Sequence, residues 1–131
     1  MVVDTQGFVL KALVTEASYQ DGTVACWLLD GLVKHYPRLK KMWADAAYRG
    51  QFVEQARAYG IDVEIVTRAD DQQGFEVQPR RWVGERTLAW LGNYRRLSKD
   101  YEYWVFSSDA MLYLASIRIM LRRLARLRAA Q

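Results

Sequence analysis

The chain is predicted to adopt an α/β fold, and three observations indicate this. Segments rich in β-branched residues alternate with amphipathic helical segments in the order ββαβαβ over residues 1–66. Two longer helical segments follow them. Hydrophobic residues make up 51% of the 131 residues, which is enough apolar material for the core of one domain. We therefore treat residues 1–131 as a single domain.

The first elements are predicted to be a hairpin and a helix. Val2 to Thr5 and Phe8 to Thr15 are apolar and β-branched, and Gln6-Gly7 between them provides a turn. From Gly22 to Lys34 apolar residues recur at helical spacing. Asp21 is the expected N-cap, and Pro37 lies just beyond the end of this helix.

The next elements are predicted to be strand, helix and strand. Leu39 to Ala44 is a short buried strand, Gly50 to Tyr59 is an amphipathic helix that Gly60 ends, and Ile61 to Val66 is a second strand with alternating polarity. Residues 67–79 lack periodicity and contain Gly74 and Pro79, so they are expected to form a loop.

Two helices are predicted to complete the domain. Residues 81–97 carry one apolar stripe, which should pack on the sheet and leaves Glu85 outside it. Ser107-Ser108-Asp109 is the expected cap of a last helix that runs to about Ala129. Its apolar positions are expected to face the core. They are Tyr113, Ile117, Met120, Leu124 and Leu127.

Charge is distributed unevenly along the chain. Residues 1–79 hold 8 basic and 11 acidic side chains, whereas residues 80–131 hold 11 basic and 4 acidic ones, so the net charges are −3 and +7. A basic half is typical of a surface that meets a polyanion, most often nucleic acid, and acidic residues elsewhere can hold a cation. The alternative is a helical surface that uses arginine only for solubility.

The single cysteine and the chain start indicate a reducing, cytoplasmic protein. Cys26 cannot form an internal disulfide, and it lies in an apolar run where a buried thiol is expected. The start, Met1-Val2-Val3-Asp4, has no basic leader, and no apolar run is long enough to span a bilayer. One Cys and one His also exclude an ordinary zinc site.

Two carboxylates are candidates for chemistry. Asp45 follows a short hydrophobic strand, and the carboxyl ends of strands are where α/β folds commonly place functional groups. An aspartate there can equally cap a turn. Glu85 lies on a predicted helix, where Arg81 and Arg86 could make it an ordinary ion-paired surface acid.

Longer motifs around these residues resemble a known family. The chain reads WADAAYRG over residues 43–50, PRRWVGERTLAWL over residues 79–91 and RRLSKDYE over residues 95–102. These segments are similar, in the same order, to the segments that bear the second catalytic aspartate and the catalytic glutamate in bacterial insertion-sequence transposases of the DDE type. VDTQG over residues 3–7 also resembles the first hairpin of these proteins, so the resemblance covers nearly the whole chain.

The resemblance implies a ribonuclease-H-like fold, a mixed sheet flanked by helices, with a long carboxy-terminal helix. It also implies DNA strand cleavage and transfer in transposition, with two Mg²⁺ ions held by three acidic residues. Asp45 would be the second catalytic residue and metal ligand and Glu85 the third, with Arg81 near the glutamate or the DNA backbone. The DNA partners would be transposon ends and a target.

The chain departs from the family at its beginning. The first catalytic aspartate of the relatives lies on a strand upstream of the hairpin, so this chain is expected to be a partial catalytic domain that lacks its first strand. Asp4 corresponds to a turn-shaping residue of the hairpin, although its use as a replacement ligand stays open. Loss of that strand would unpair its neighbours unless the hairpin shifts to pair with residues 39–44.

Basic residues of the second half are candidates for DNA contacts, which would be salt-dependent and largely independent of sequence. They are Arg80, Arg81, Arg86, Arg95, Arg96, Lys99, Arg118, Arg122 and Arg126. For the last helix, a solvated face is the alternative. One further function stays open: a catalytically inactive, basic DNA-binding remnant, or a subunit that complements an upstream fragment. The protein partner could be an upstream transposase fragment or a second copy of the chain. A peripheral membrane protein is disfavoured, because the apolar face of the last helix is expected to be needed for the core.

Overall fold

The structure is a computed structural model, and it describes residues 1–66 and 81–130. The predicted order ββαβαβ is confirmed for residues 1–66. A hairpin of β1 (Val2–Val3) and β2 (Val9–Lys11) is followed by helix α1 (Asp21–His35), strand β3 (Lys41–Ala44), helix α2 (Gln51–Ala58) and strand β4 (Asp62–Ile65). A short 3-10 helix, Ala46–Tyr48, lies between β3 and α2. The predicted loop at residues 67–79 lies outside the described residues.

The hairpin turn forms for local reasons. Oδ1 of Asp4 accepts hydrogen bonds from the backbone N–H groups of Gln6 (2.8 Å) and Phe8 (2.9 Å), and Gly7 adopts φ +90°. An aspartate that bonds its own following backbone and a glycine at positive φ are what a tight turn needs. The interpretation of Asp4 as a turn-shaping residue therefore agrees with its contacts.

Strands β3 and β4 are parallel and joined by α2. Their register pairs Lys41 with Asp62 and Ala44 with Ile65. Helix α2 ends as predicted at Gly60, whose φ of +76° lets the N–H of Ile61 reach the carbonyl of Ala56 at 2.9 Å. Of the two hydrogen bonds that define a Schellman motif, this is the one that spans more residues. It directs the chain into β4.

The strands form two small sheets in the described part of the chain. Within residues 1–66 and 81–130, β1 pairs only with β2, in antiparallel fashion, and β3 pairs only with β4. The single mixed sheet expected from the sequence is therefore not seen between residues 1 and 66, and the hairpin has not moved over to pair with β3. Each sheet keeps an edge that lacks a strand among the described residues.

The main core lies between α1, α2 and the parallel pair. It contains Ala25, Cys26, Leu29, Phe52, Ala56 and Ile61. Leu29 is fully buried, and the ring of Phe52 packs at 5.7 Å against the ring of Tyr48 from the 3-10 helix. Apolar residues at helical spacing in α1 and α2 thus cover the β3–β4 sheet, as their periodicity predicts.

Two of the predicted helix caps are wrong. Asp21 is the first residue of α1 rather than its N-cap, which is Gln20. Helix α1 is also interrupted, because Asp30 and Gly31 have non-helical backbone angles and the Nζ of Lys11 donates to the exposed carbonyl of Asp30. The last helix starts at Val105, before the predicted Ser107-Ser108-Asp109 cap, and Trp104 occupies the N-cap position.

The second half is helical. Helix α3 covers Arg81–Gly92, a short helix α4 covers Arg95–Ser98, and α5 covers Val105–Ala129. The predicted continuous helix over residues 81–97 is therefore broken, after Gly92. Helix α3 packs mainly against the hairpin, α4 and α5. Its apolar stripe was predicted to pack on the sheet, and it packs instead on the small hairpin sheet and on neighbouring helices.

Helix α5 presents a different face to the protein from the one predicted. Its packed side consists of small residues, Ser108, Ala115 and Ser116, which are buried. The large apolar residues that were expected in the core are exposed by 38% to 60%. They are Tyr113, Ile117, Met120, Leu124 and Leu127, together with Leu114 and Leu121.

Candidate active site and basic surface

Asp45 lies directly beyond the last residue of β3. Its backbone is extended, and its Oδ1 accepts a hydrogen bond at 2.9 Å from the N–H of Ala47, so that it caps the 3-10 helix. The residue is half-buried. Both interpretations of the sequence therefore agree with its position, because the carboxylate caps a turn and lies at the carboxyl end of a parallel strand.

A second carboxylate, which the sequence did not single out for chemistry, acts on the same phenol as Asp45. Burial raises the pKa of the Tyr48 hydroxyl, and the charges of Asp21 and Asp45 raise it further. Both carboxylates are thus close to one phenol. The approach occurs because the first turn of α1 packs against the 3-10 helix, where a Cβ on Gly22 would lie 3.6 Å from the carbonyl oxygen of Ala47. Nothing in the spacing of residues 21 and 45 could have indicated this proximity.

Glu85 lies on the exposed side of α3, as its position outside the apolar stripe predicts. The opposite side of the helix is held by Thr87, which is 1% exposed. The Thr87 hydroxyl donates to the carbonyl oxygen of Gly7 at 2.8 Å and lies 3.0 Å from that of Val83. The hairpin turn therefore fixes the rotation of α3, and with it the side on which Glu85 projects.

Arg86 strengthens the same contact. Its guanidinium lies over the ring of Trp82 at 4.2 Å and over that of Trp90 at 4.7 Å, and its Nη2 donates to the carbonyl of Gln6 at 2.9 Å. Its Nε is buried and has no hydrogen-bond partner in the described part of the chain. An arginine between two tryptophans and a backbone carbonyl is a structural clamp, so its predicted contact with DNA would compete with these interactions.

Within the part of the chain that the structure describes, the two predicted metal ligands are not part of a three-donor group. Among residues 1–66 and 81–130 there is no cluster of three or more His, Cys, Asp or Glu side chains able to hold a metal ion. Carboxylate oxygens are the donors that Mg²⁺ prefers, so Asp45 and Glu85 suit the ion by chemistry. The described residues do not by themselves form a complete site, and convergence of Asp45 and Glu85 stays a prediction.

Most of the predicted DNA-binding residues are exposed. Arg95, Arg96 and Lys99 lie in or just after α4, and Arg96 pairs with Glu102 at 3.0 Å. Arg122 and Arg126 are exposed on α5, and the guanidinium of Arg118 lies 5.9 Å from the ring centre of Tyr94.

Arg80 lies outside the described residues, and Arg81 begins α3, with nothing described of its side chain.

Arg123 behaves differently from its neighbours on α5. Its Nη2 donates to the Oε1 of Gln6 at 2.8 Å, and its guanidinium lies 5.0 Å from the ring centre of Phe8. The hairpin turn is therefore contacted by arginines from both α3 and α5. Of the other arginines of α5, residues 118, 122 and 126 lie on a different side of that helix, as their spacing of four residues predicts.

The sequence matches the family model described as the transposase DDE domain over residues 1–120. The chain belongs to the DDE transposases of insertion sequences. It is similar to a putative transposase for insertion sequence element IS402 from Burkholderia cepacia, with 31% identity over an alignment of 110 residues that covers 78% of this chain and 52% of that protein. No solved structure gives a significant match. The resemblance inferred from the motifs at residues 43–50 and 79–91 is thereby confirmed.

This chain spans about half the length of the curated transposase that it matches. Family membership is a property of the matched segment, whereas the activity of a transposase belongs to the whole protein. Among the helices that the structure describes, none combines the length and apolar character needed to cross a bilayer.

Proposed function

We propose that the chain forms part of the catalytic domain of an insertion-sequence transposase and acts in Mg²⁺-dependent cleavage and transfer of DNA strands. The observation that carries the proposal is the position of Asp45 at the carboxyl end of a parallel strand, inside a segment that matches the transposase DDE domain. In this proposal Asp45 and Glu85 are two of three catalytic carboxylates, and the DNA partners are transposon ends and a target.

We further propose that the complete domain is ribonuclease-H-like and that its first strand would lie between the hairpin and β3. Two features support this arrangement. β1–β2 and β3–β4 are separate sheets, and each has an edge without a partner among the described residues. Unpaired edges are normally covered in stable proteins, so a strand that joins the two sheets would complete the fold.

Magnesium would supply electrostatic stabilisation of the entering and leaving oxygens when the site is complete. Asp45 and Glu85 are the residues of this chain that would hold it. Because these are two of the three carboxylates that the proposal requires, this chain alone is expected to cleave DNA weakly. What the chain contributes by itself is the fixed orientation of α3, through the contacts of Thr87 and Arg86 with the hairpin.

A second function follows from the same facts. A basic DNA-binding remnant or subunit, without catalysis of its own, would need only the exposed arginines and lysine of residues 95–126. The lack of a three-carboxylate group in the described chain favours this alternative. Such a subunit could complement an upstream fragment that carries the missing ligand, or it could associate as a homodimer.

Nicking of supercoiled plasmid DNA in the presence of Mg²⁺ tests the proposal. Activity should disappear in Asp45→Ala and in Glu85→Ala and persist in Asp62→Ala, a control that removes an exposed acid lying 4.0 Å from Lys41. DNA binding without nicking would favour the non-catalytic subunit. Absence of both binding and nicking would contradict both functions.

A further inference from the structure

Four aromatic side chains are exposed between α4 and the first turn of α5. Tyr101, Tyr103, Trp104 and Phe106 are exposed by 55%, 89%, 59% and 69%, respectively. Aromatic rings are normally buried because they remove a large apolar area from water. A contiguous group of exposed rings is typical of a binding surface rather than of an unused segment. We call these four residues the aromatic surface.

The rings of the aromatic surface support one another. Trp104 and Phe106 lie at 6.1 Å with an interplanar angle of 24°, and Tyr103 meets Trp104 edge-on at 5.0 Å. A ring held by other rings loses little further freedom when a ligand binds. The rings of Trp104 and Phe106 are therefore nearly parallel, and Tyr103 lies edge-on beside Trp104.

Cationic groups lie next to Tyr101 of the aromatic surface. Arg95, Arg96 and Tyr101 line an open cavity of about 300 Å³. Arg95 and Lys99 are exposed and form no ion pair within the described part of the chain. Helix α5 begins at Val105 without a side-chain cap, so the N–H groups of its first turn add partial positive charge beside the rings.

The acidic residues of this segment are already engaged. Oδ1 of Asp100 accepts hydrogen bonds from the Ser108 hydroxyl at 2.9 Å and from the N–H of Glu102 at 3.2 Å. Glu102 is paired with Arg96 at 3.0 Å. Residues 95–106 hold three basic and two acidic side chains, so the net charge of this segment stays positive. A ligand of this surface is expected to combine flat apolar faces with negative charge.

We propose that the aromatic surface stacks unpaired nucleobases of DNA while Arg95 and Lys99 contact the adjacent phosphates. This inference rests on DNA being the partner under the proposed function and adds a subsite for single-stranded DNA. Within a duplex both faces of a base are covered by its neighbours, so exposed rings can stack only on bases at a duplex end or outside the helix. Basic grooves with exposed aromatic residues are the usual means of binding single strands without sequence preference.

Fluorescence anisotropy with the full chain tests the inference on three probes of equal length: a single strand, a blunt duplex and a duplex with a single-stranded overhang. Trp104→Ala and Phe106→Ala should each weaken binding of the single strand and of the overhang about 5- to 100-fold. Binding of the blunt duplex should change less than about 2-fold. Trp104→Phe keeps a stacking ring and should restore most of the affinity.

The matched control is Tyr59→Ala, because Tyr59 is 47% exposed at the far end of α2, away from the basic segment. It should leave binding of all three probes unchanged. Equal affinity of the native chain for all probes, or no effect of Trp104→Ala on the single strand, would overturn the inference and leave the proposed function intact. Failure to bind any DNA would overturn the proposed function itself.

Analytical ultracentrifugation of the same variants covers the other use of exposed aromatics, which is contact with a second copy of the chain. A native dimer that Trp104→Ala dissociates, with DNA affinity unchanged, would show that the rings bind protein and would overturn the inference. Because these side chains are exposed, the variants should keep the native circular dichroism spectrum.

Discussion

Helices α1 and α5 are both amphipathic, yet the structure uses their apolar faces in opposite ways. Most of the large apolar residues of α1 are buried, among them Leu28, Leu29 and Leu32, whereas Trp27 is 48% exposed. Those of α5 are exposed, and the helix packs through Ser108, Ala115 and Ser116 instead. The difference teaches that periodicity predicts a helix and its two faces, whereas the surrounding elements decide which face is covered.

The largest effect should come from truncation of a buried leucine of α1. Leu29→Ala removes a side chain that is 0% exposed and is expected to lower the free energy of unfolding by about 3 kcal/mol. Leu124→Ala on α5, which is 48% exposed, should change it by less than about 0.5 kcal/mol. Urea denaturation measures both. Equal losses would mean that the apolar face of α5 is covered in solution.

Substitution of Gly7 and of Gly84 compares the stability contributed by the contact of α3 with the hairpin turn and by the exposed surface of α3. Gly7→Ala should destabilise the protein by more than about 1 kcal/mol, because a Cβ there would lie 2.8 Å from the Thr87 hydroxyl oxygen at a φ of +90°. Gly84→Ala should stabilise it by about 0.5–1 kcal/mol, since a Cβ at that helical position meets nothing within 4 Å. Thermal unfolding of the two variants gives both signs. A stable Gly7→Ala variant would contradict the close packing of α3 on the turn.

Charge on α5 is compared with charge on α2 by duplex DNA binding at several salt concentrations. Arg122→Gln should reduce the slope of log affinity against log salt by about 0.9 if the arginine neutralises one phosphate. Arg57→Gln, which removes an exposed arginine from α2 in the other half of the chain, should leave the slope unchanged. Equal slopes in both variants and the native chain would show that the arginines of α5 form only a solvated face.

The smallest effect concerns the buried thiol of α1. Burial raises the pKa of Cys26, and its Sγ donates to the carbonyl oxygen of Gly22 at 3.3 Å. A raised pKa in the folded state favours the neutral thiol, so its contribution to stability is complete below the unfolded pKa of about 8.5 and is lost as the pH rises through the folded value. In Cys26→Ala the fall in stability above that pH should be smaller, as measured by urea denaturation at several pH values.

Reaction of Cys26 with a thiol reagent gives an independent check on the same residue. At pH 8 the folded chain should react slowly and the urea-unfolded chain quickly, because the thiolate is the reactive form and burial suppresses it. Rapid reaction of the folded chain would indicate that α1 opens locally.

Local elements were largely predictable because their causes are local. Gly60 ends α2 and Asp4 with Gly7 shapes the hairpin turn, since the relevant contacts lie within a few residues. The cap predicted at Ser107-Ser108-Asp109 failed for a physical reason. Asp109 was expected to cap α5, but its Oδ1 accepts from the N–H of Val14 at 2.7 Å, a contact with a residue that is distant in the sequence.

The residues of the candidate site could be predicted from the sequence, whereas their tertiary contacts could not. Asp45 could be singled out from the strand before it and from the motif at residues 43–50, and Glu85 from the motif at residues 79–91. The sequence could not show that Asp21 and Asp45 act on the same phenol, because tertiary packing decides this. It also could not show that Arg86 lies over Trp82 and Trp90, because packing selects these rings from several available partners.

The family, the alternation of strands and helices, and the basic character of the second half could be predicted from the sequence, since each depends on residue types and their order along the chain. The pairing of the strands in two separate sheets, the outward position of the large apolar residues of α5, and the exposure of four aromatic rings in the segment after Arg95 and Lys99 are visible only in the folded chain. Burial depends on which surfaces meet in space, and a helix with a small-residue face and a large apolar face can pack on either.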